Sequence, residues 1–224
     1  MKMRNPQYIL TLLFIAFIGC TPGNKKSNAI PTEELSKALV DTAHLDTLIL
    51  KPALNIEDTA VNEYLNDTLK PIRVNFKKLN SISKWDSITK RELWETGEGG
   101  EAKYFYLKGN AEKIITRNYG ETFQQLTEYY LLNNQLSFVF DRVYKYNRPL
   151  FYDSAAMKQS DDDQVFDLTK SVLFDVRSYF KEGKLIHQIN NPESEQPYTT
   201  QHLMEEQKRL KLNFDKLKKL AREY

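Results

Sequence analysis

A chain of 224 residues with 41% hydrophobic and 28% charged side chains can bury one ordinary core and carry a tail. Its formal charge is +2, and Lys2 and Arg4, ahead of the first apolar run, supply that excess, so residues 20–224 hold 30 basic against 30 acidic side chains. Such a balance excludes the net basic footprint of a dedicated nucleic-acid binder, and the single cysteine excludes an internal disulfide. Thirteen Tyr and twelve Phe favour strands over helices.

The N-terminus begins with a short segment carrying Lys2 and Arg4, then Tyr8–Ile18, apolar but for Thr11, then Gly19 and Cys20. A helix needs about 20 apolar residues to cross a hydrocarbon core, so this run is too short and has signal-peptide proportions. The order of charge, apolar run, small residue and cysteine resembles the lipoprotein signal peptide of bacteria. That family's lipobox, Leu-Ala/Ser-Gly/Ala-Cys, ends in a cysteine that is acylated and becomes the new N-terminus. Here the box reads Phe17-Ile18-Gly19-Cys20. Gly19 and Cys20 fit, whereas Phe17 and Ile18 depart from the commonest residues and match the looser boxes of Bacteroidota-like lipoproteins. The resemblance implies cleavage before Cys20, palmitate-type lipid on that residue, a membrane as partner through the anchor, and no other cofactor. Thr21 stands where the family's inner-membrane retention mark would be Asp, which implies the outer membrane. The basic Thr21–Lys26 segment differs from acidic surface-export signals and points to the periplasmic face.

Residues 20–70 read as a flexible tether, opening with Pro22, Gly23 and two lysines. Short helical turns are expected in it after Pro31-Thr32 and after Ile56-Glu57-Asp58. From residue 71 the pattern sharpens. Ile72, Phe76, Leu79 and Ile82 stand at helical spacing and predict a short amphipathic helix lying on a sheet, closed by Trp85.

From Asp86 to Asn190 the chain reads as strands. Ile88, Leu93 and Trp94 mark the first; E-T-G-E-G-G-E interrupts it and A-K-Y-F-Y-L resumes. Aromatic pairs followed by polar turns then recur from Tyr104, Tyr129 and Tyr179, and each predicts one hairpin. Lys108-Gly109-Asn110, Asn133-Asn134 and Glu182-Gly183 supply residues that tolerate positive φ, which tight hairpin turns demand. The offsets of 25 and 50 residues suggest degenerate repeats with a unit eroded near Phe151-Tyr152. Leu136, Phe138 and Phe140 alternate with Ser137, Val139 and Asp141, as in an antiparallel sheet packed on one side. After Pro192 and Pro197 a helix is expected over Thr200–Arg222. Leu203, Leu210, Phe214, Leu217 and Ala221 form its stripe, Gln207 the one polar gap, and the stripe is expected to dock on the sheet or a neighbour, with a membrane-lying or coiled-coil role as the alternative. The fold class is thus α+β: an antiparallel β-meander with a short N-terminal helix and a C-terminal amphipathic helix, the globular part spanning residues 71–195 and the last helix 196–224.

Few residues point to chemistry. Glu98 and Glu101, among the glycines of Glu95–Glu101, could offer oxygen ligands to a hard cation or an acid and base pair. The spacing is neither an EF-hand nor a phosphate-binding loop, and a glycine turn with exposed acids explains the same residues. Asp161-Asp162-Asp163 reads as a solvated loop. His44, His187 and His202 are too scattered for a metal set, and Ser81 to Lys84 matches a Ser-x-x-Lys spacing without the companion motifs. Tyr104, Tyr106, Tyr129, Tyr130, Tyr144 and Tyr146 could form an aromatic binding platform, with Tyr129 and Tyr130 the candidates, or pack as core. Enzymatic activity is left open.

Over residues 85–190, G-E-G-G-E-A-K-Y-F-Y, Gly120-Glu121, Y-Y-L-L-N-N-Q-L-S-F-V and Y-F-K-E-G-K-L-I resemble lipoproteins of Bacteroidota, and the hairpin unit resembles MORN-like repeats. The first resemblance implies a β-rich exported domain and brings no activity with it. The expected role is a binding module at the periplasmic face of the envelope, its partner a protein or a glycan. The alternatives are a periplasmic enzyme or metal binder using Glu98 and Glu101, and a passive structural lipoprotein.

Overall fold

A computed structural model of the chain describes residues 49–52, 63–191 and 199–223, all within the compact unit Thr47–Tyr224. The N-terminal run, Cys20, His44 and the helical turns expected after Thr32 and Asp58 lie outside the described residues.

Helix α1 (Glu63–Asn80) leads into five strands, β1 (Ser87–Leu93), β2 (Gly100–Leu107), β3 (Asn110–Gly120), β4 (Phe123–Leu132) and β5 (Gln135–Lys145). A connection carrying the short helix α2 (Ser154–Gln159) and a 3-10 turn (Leu168–Lys170) leads to β6 (Val172–Lys181), β7 (Lys184–Asn191) and the final helix α3 (Thr200–Leu220). The seven strands pair in chain order, each antiparallel to the last, which is the α+β meander the sequence predicts.

Three hairpins share one construction. Their two-residue turns, Lys108-Gly109, Asn133-Asn134 and Glu182-Gly183, all have positive φ at both positions, the backbone that matches strand twist. Two residue pairs beyond each turn the register shifts, leaving Glu112, Ser137 and Ile186 as the extra residue of the outgoing strand. The doubled interval between Tyr129 and Tyr179 is taken up by the β5–β6 connection. Within it Arg148 clamps Asp162 through Nε and Nη2 at 2.6 and 2.8 Å, so this aspartate of the acidic run is held rather than merely solvated.

The bulges correct the expectation of a sheet packed on one side. Alternation read across Ser137 puts Leu136 and Phe138 together, but the extra residue sends them to opposite faces. Leu136 packs with Tyr104, Tyr129 and Phe180 under α3, while Phe138 packs with Tyr130, Phe140 and Tyr179 under α1. Both faces are therefore covered, one helix on each.

On the α1 face, Leu69, Ile72, Phe76 and Leu79 are buried at three-four spacing, with Phe76 5.0 Å from the Tyr130 ring and edge-on to Phe138. The helix begins well upstream of Ile72, where the apolar spacing first shows. Pro71 inside it is exposed, so the hydrogen bond it removes falls on the solvent side. Ile82 and Trp85 lie past the helix end and still pack on this core. Leu50 fills the far end of the same face against Ile115 and Leu126, its N–H held by Gln124 Oε1 at 3.0 Å and its carbonyl accepting from Arg117. Between them Lys113 and Glu128 form a buried ion pair at 2.6 Å. Asn80 Oδ1 also accepts from Lys113, at 2.8 Å, and Tyr130 Oη donates to Glu128 at 2.7 Å.

On the other face α3 is capped by the Thr199 hydroxyl, which accepts from the His202 N–H at 3.1 Å. It buries Leu210, Phe214 and Leu217. Burying a Leu or Phe side chain is worth about 1.5–3 kcal/mol, so the stripe is satisfied by the sheet. The polar gap is also used: Gln207 Oε1 accepts the Leu185 N–H at 2.8 Å and pins the helix to β7. Tyr104 Oη donates to the Leu217 carbonyl at 3.0 Å, pinning the other half to β2. The helix thus runs obliquely from β7 towards β1 and leaves part of the sheet beside it open.

Candidate functional site

The open part forms a cleft of about 500 Å³ between the sheet and the C-terminal half of α3. Its floor is uncharged. Beyond the apolar Ile114 and Tyr129, the positions of β3 and β4 that face α3 are Thr116, Asn118, Thr127 and Gln125. One wall is Arg209, Asn213 and Lys216 of α3, and the rim is the β1–β2 loop with Trp94, whose side chain is 80% exposed. At the floor's edge β2 and β3 approach closely opposite Gly100. A Cβ there would stand 2.2 Å from the Arg117 carbonyl oxygen, so only glycine fits.

Asp141 supports the floor from β5. It accepts from Gln125 Nε2 at 2.8 and 2.9 Å and from Thr127 Oγ1 at 2.9 Å, and Arg209 Nη2 stands 3.8 Å away. One N–H of the Gln125 amide is thereby committed, which leaves its carbonyl oxygen and its other N–H to offer. Burial pushes the Asp141 carboxyl above the usual carboxylate range, against those hydrogen bonds. The folded state therefore holds this proton more tightly than the unfolded chain. Asp141 contributes most to stability below its ordinary value, and the contribution is lost as pH rises through the raised one. A series of urea melts from acid to neutral pH is expected to show that decline, and Asp141→Asn to flatten it; an unchanged slope would show that Asp141 does not titrate in this way.

Charges around the cleft are internally matched. Lys216 meets Glu95 at 3.1 Å, Arg209 grips Glu206 at 2.8 Å, and Lys219 stands 3.9 Å from Glu223. The Asn118 Oδ1 atom, also in the lining, is buried with no hydrogen-bond partner.

The residues singled out in the sequence are dispersed. Tyr129 and Tyr130 are neighbours on β4 and so face opposite ways. Tyr129 lines the cleft and stacks on Phe214 at 6.2 Å, whereas Tyr130 is sealed in the α1 core. Tyr104 is fully buried as well, so these tyrosines form no common platform and serve mainly as packing. Glu98 is exposed in the β1–β2 loop, while Glu101 is half-buried on β2. Both border a shallower hollow of about 280 Å³. Lys90 at 2.6 Å, Lys103 at 3.2 Å and Arg117 at 3.9 Å surround the Glu101 carboxylate. Burial would raise its pKa, but the hydrogen bonds from Lys90 and Lys103 win and hold it below the usual range. A cation at Glu98 and Glu101 would have to compete with that ring of basic side chains. Among the described residues no three His, Cys, Asp or Glu side chains are grouped to hold a metal. His187 packs on the Tyr179 ring and His202 lies 3.3 Å from Gln188, on different elements.

Fold and cleft together define an open antiparallel meander between two helices, with an accessible polar hollow under the C-terminal helix. No family model, no curated protein and no solved structure matches this chain. Among the described residues no helix is long and apolar enough to cross a membrane.

Proposed function

We propose that the protein is a lipid-anchored binding module of the cell envelope, held through Cys20 in the outer membrane on its periplasmic side, and that it engages its partner through the cleft under α3. The observation that carries this reading is Trp94, a large side chain left 80% exposed at the rim of a hollow whose floor is made of amides and hydroxyls. An apolar ring in water beside convergent polar groups is the composition of a binding site.

A photoreactive phenylalanine analogue placed at position 94 in growing cells tests it, with the same group at the equally exposed Phe151 of the β5–β6 connection as the control. A discrete adduct is expected from position 94 and absent from 151. The same adducts from both positions, or none from 94, would refute a role for the cleft.

A further inference from the structure

Resting on that reading of the cleft, we infer that its ligand is a neutral, hydroxyl-rich saccharide chain, one sugar ring lying against the face of Trp94. Four features of the site select this class.

The first is charge. The lining counts three acidic residues, Glu92, Glu95 and Glu223, against three basic ones, Arg209, Lys216 and Lys219. The basic ones are already engaged by carboxylates of this chain: Arg209 by Glu206, Lys216 by Glu95 and Lys219 by Glu223. The net charge of the lining is zero, so no charged ligand meets a net opposite charge, and an anion would also have to displace one of these carboxylates. A neutral ligand has no such cost.

The second is the kind of polar group on the floor. Gln125 gives one amide N–H to Asp141, and the Thr127 hydroxyl donates its proton to the same carboxylate. Thr127 therefore faces a ligand as an acceptor, and Gln125 offers its carbonyl oxygen as a second beside its remaining N–H. Asn118 adds a third acceptor, an Oδ1 atom buried without a partner, which a ligand donor satisfies once the amide turns into the cleft. Hydroxyl groups supply donors to such a floor and can accept in turn from the Asn213 amide on the wall.

The third is Trp94. A flat, electron-rich face in water attracts the polarised C–H groups on one side of a pyranose ring while the ring's hydroxyls point outward to polar neighbours. The fourth is size: about 500 Å³, open at one side, holds a short stretch of a longer chain and lets it leave the cleft.

The test is binding of the purified full chain to a printed array of neutral and acidic oligosaccharides. Wild type, Trp94→Phe and Trp94→Ala are compared on the array, and wild type is also titrated with the best array sugar by tryptophan fluorescence. The chain has two tryptophans. Trp85 packs on Phe105 at 5.3 Å and reports that the fold is intact, while Trp94 reports the ligand. Because Trp94 is mostly exposed, its removal should leave the melting midpoint unchanged. Neutral glycans are expected to bind, Trp94→Phe to retain part of the affinity, and Trp94→Ala to lose about tenfold or more, as for a central aromatic contact. Preference for acidic glycans, binding indifferent to Trp94→Ala, or an empty array would each overturn the assignment. An empty array together with a position-94 protein adduct in cells would remove the saccharide and leave the cleft as the binding site; an empty array with no adduct would remove both.

Discussion

Lys113→Met is expected to lower stability by about 3–5 kcal/mol, the cost of stranding one charge of a buried pair. Against a total of about 5–15 kcal/mol for a domain, that is enough to bring the fold near its limit. Lys113 and Glu128 are both almost inaccessible and meet at 2.6 Å on the α1 face. The ammonium also donates to Asn80 and stands 4.6 Å from the centre of the Tyr130 ring, and the carboxylate receives the Tyr130 hydroxyl. Burial pulls the Lys113 pKa down while Glu128 pulls it up, and burial prevails. Removing the lysine takes from the buried Glu128 carboxylate the cation that stands 2.6 Å from it. The double variant Lys113→Met with Glu128→Leu removes both charges of the pair and should regain most of the loss, since apolar replacement of a whole buried pair is often neutral or better. Urea midpoints of the three proteins decide the matter. A single variant as stable as wild type would show that the pair is not a desolvated ion pair.

Cys20→Ala is expected to abolish incorporation of labelled palmitate and to leave residues 1–19 attached, because lipobox cleavage follows acylation in the lipoproteins this N-terminus resembles. The expected effect is all or none. Each buried methylene adds about 0.8 kcal/mol and one chain holds only marginally, so a multiply acylated cysteine is what makes an anchor stable. The apolar stripe of α3 is spent on the sheet and offers no substitute. Mass spectrometry of the N-terminus together with label counting measures both consequences. Equal labelling of wild type and variant would overturn the address.

The meander was legible in the sequence because its determinants are local. Lys108-Gly109, Asn133-Asn134 and Glu182-Gly183 announce tight turns by residue type alone, and strands joined by such turns must be antiparallel neighbours. The assignment of residues to faces was not legible, because Glu112, Ser137 and Ile186 carry no mark of a bulge and each resets the two-residue period. Leu50 escaped notice for a related reason. One apolar residue held by Gln124 and Arg117 needs no periodicity, so the segment around it reads as tether. The cleft was hidden by distance in the chain: Trp94, Thr116, Gln125 and Asn213 belong to four elements and form no motif. Tyr129 entered it among the candidates, but its neighbour Tyr130 could not, since adjacent residues of a strand face opposite ways. Only the exposed tryptophan beside a glycine-rich loop was a visible signal, and it reads equally well as the end of a strand.

Anchoring and binding are one device in this account, since a tethered module meets an envelope partner at a raised effective concentration. The most direct measurement is therefore the yield of the position-94 photo-adduct in cells carrying Cys20 and in cells carrying Cys20→Ala. A discrete adduct that forms with Cys20 and falls about tenfold or more without it is the predicted result. Equal yields from the two would contradict the account.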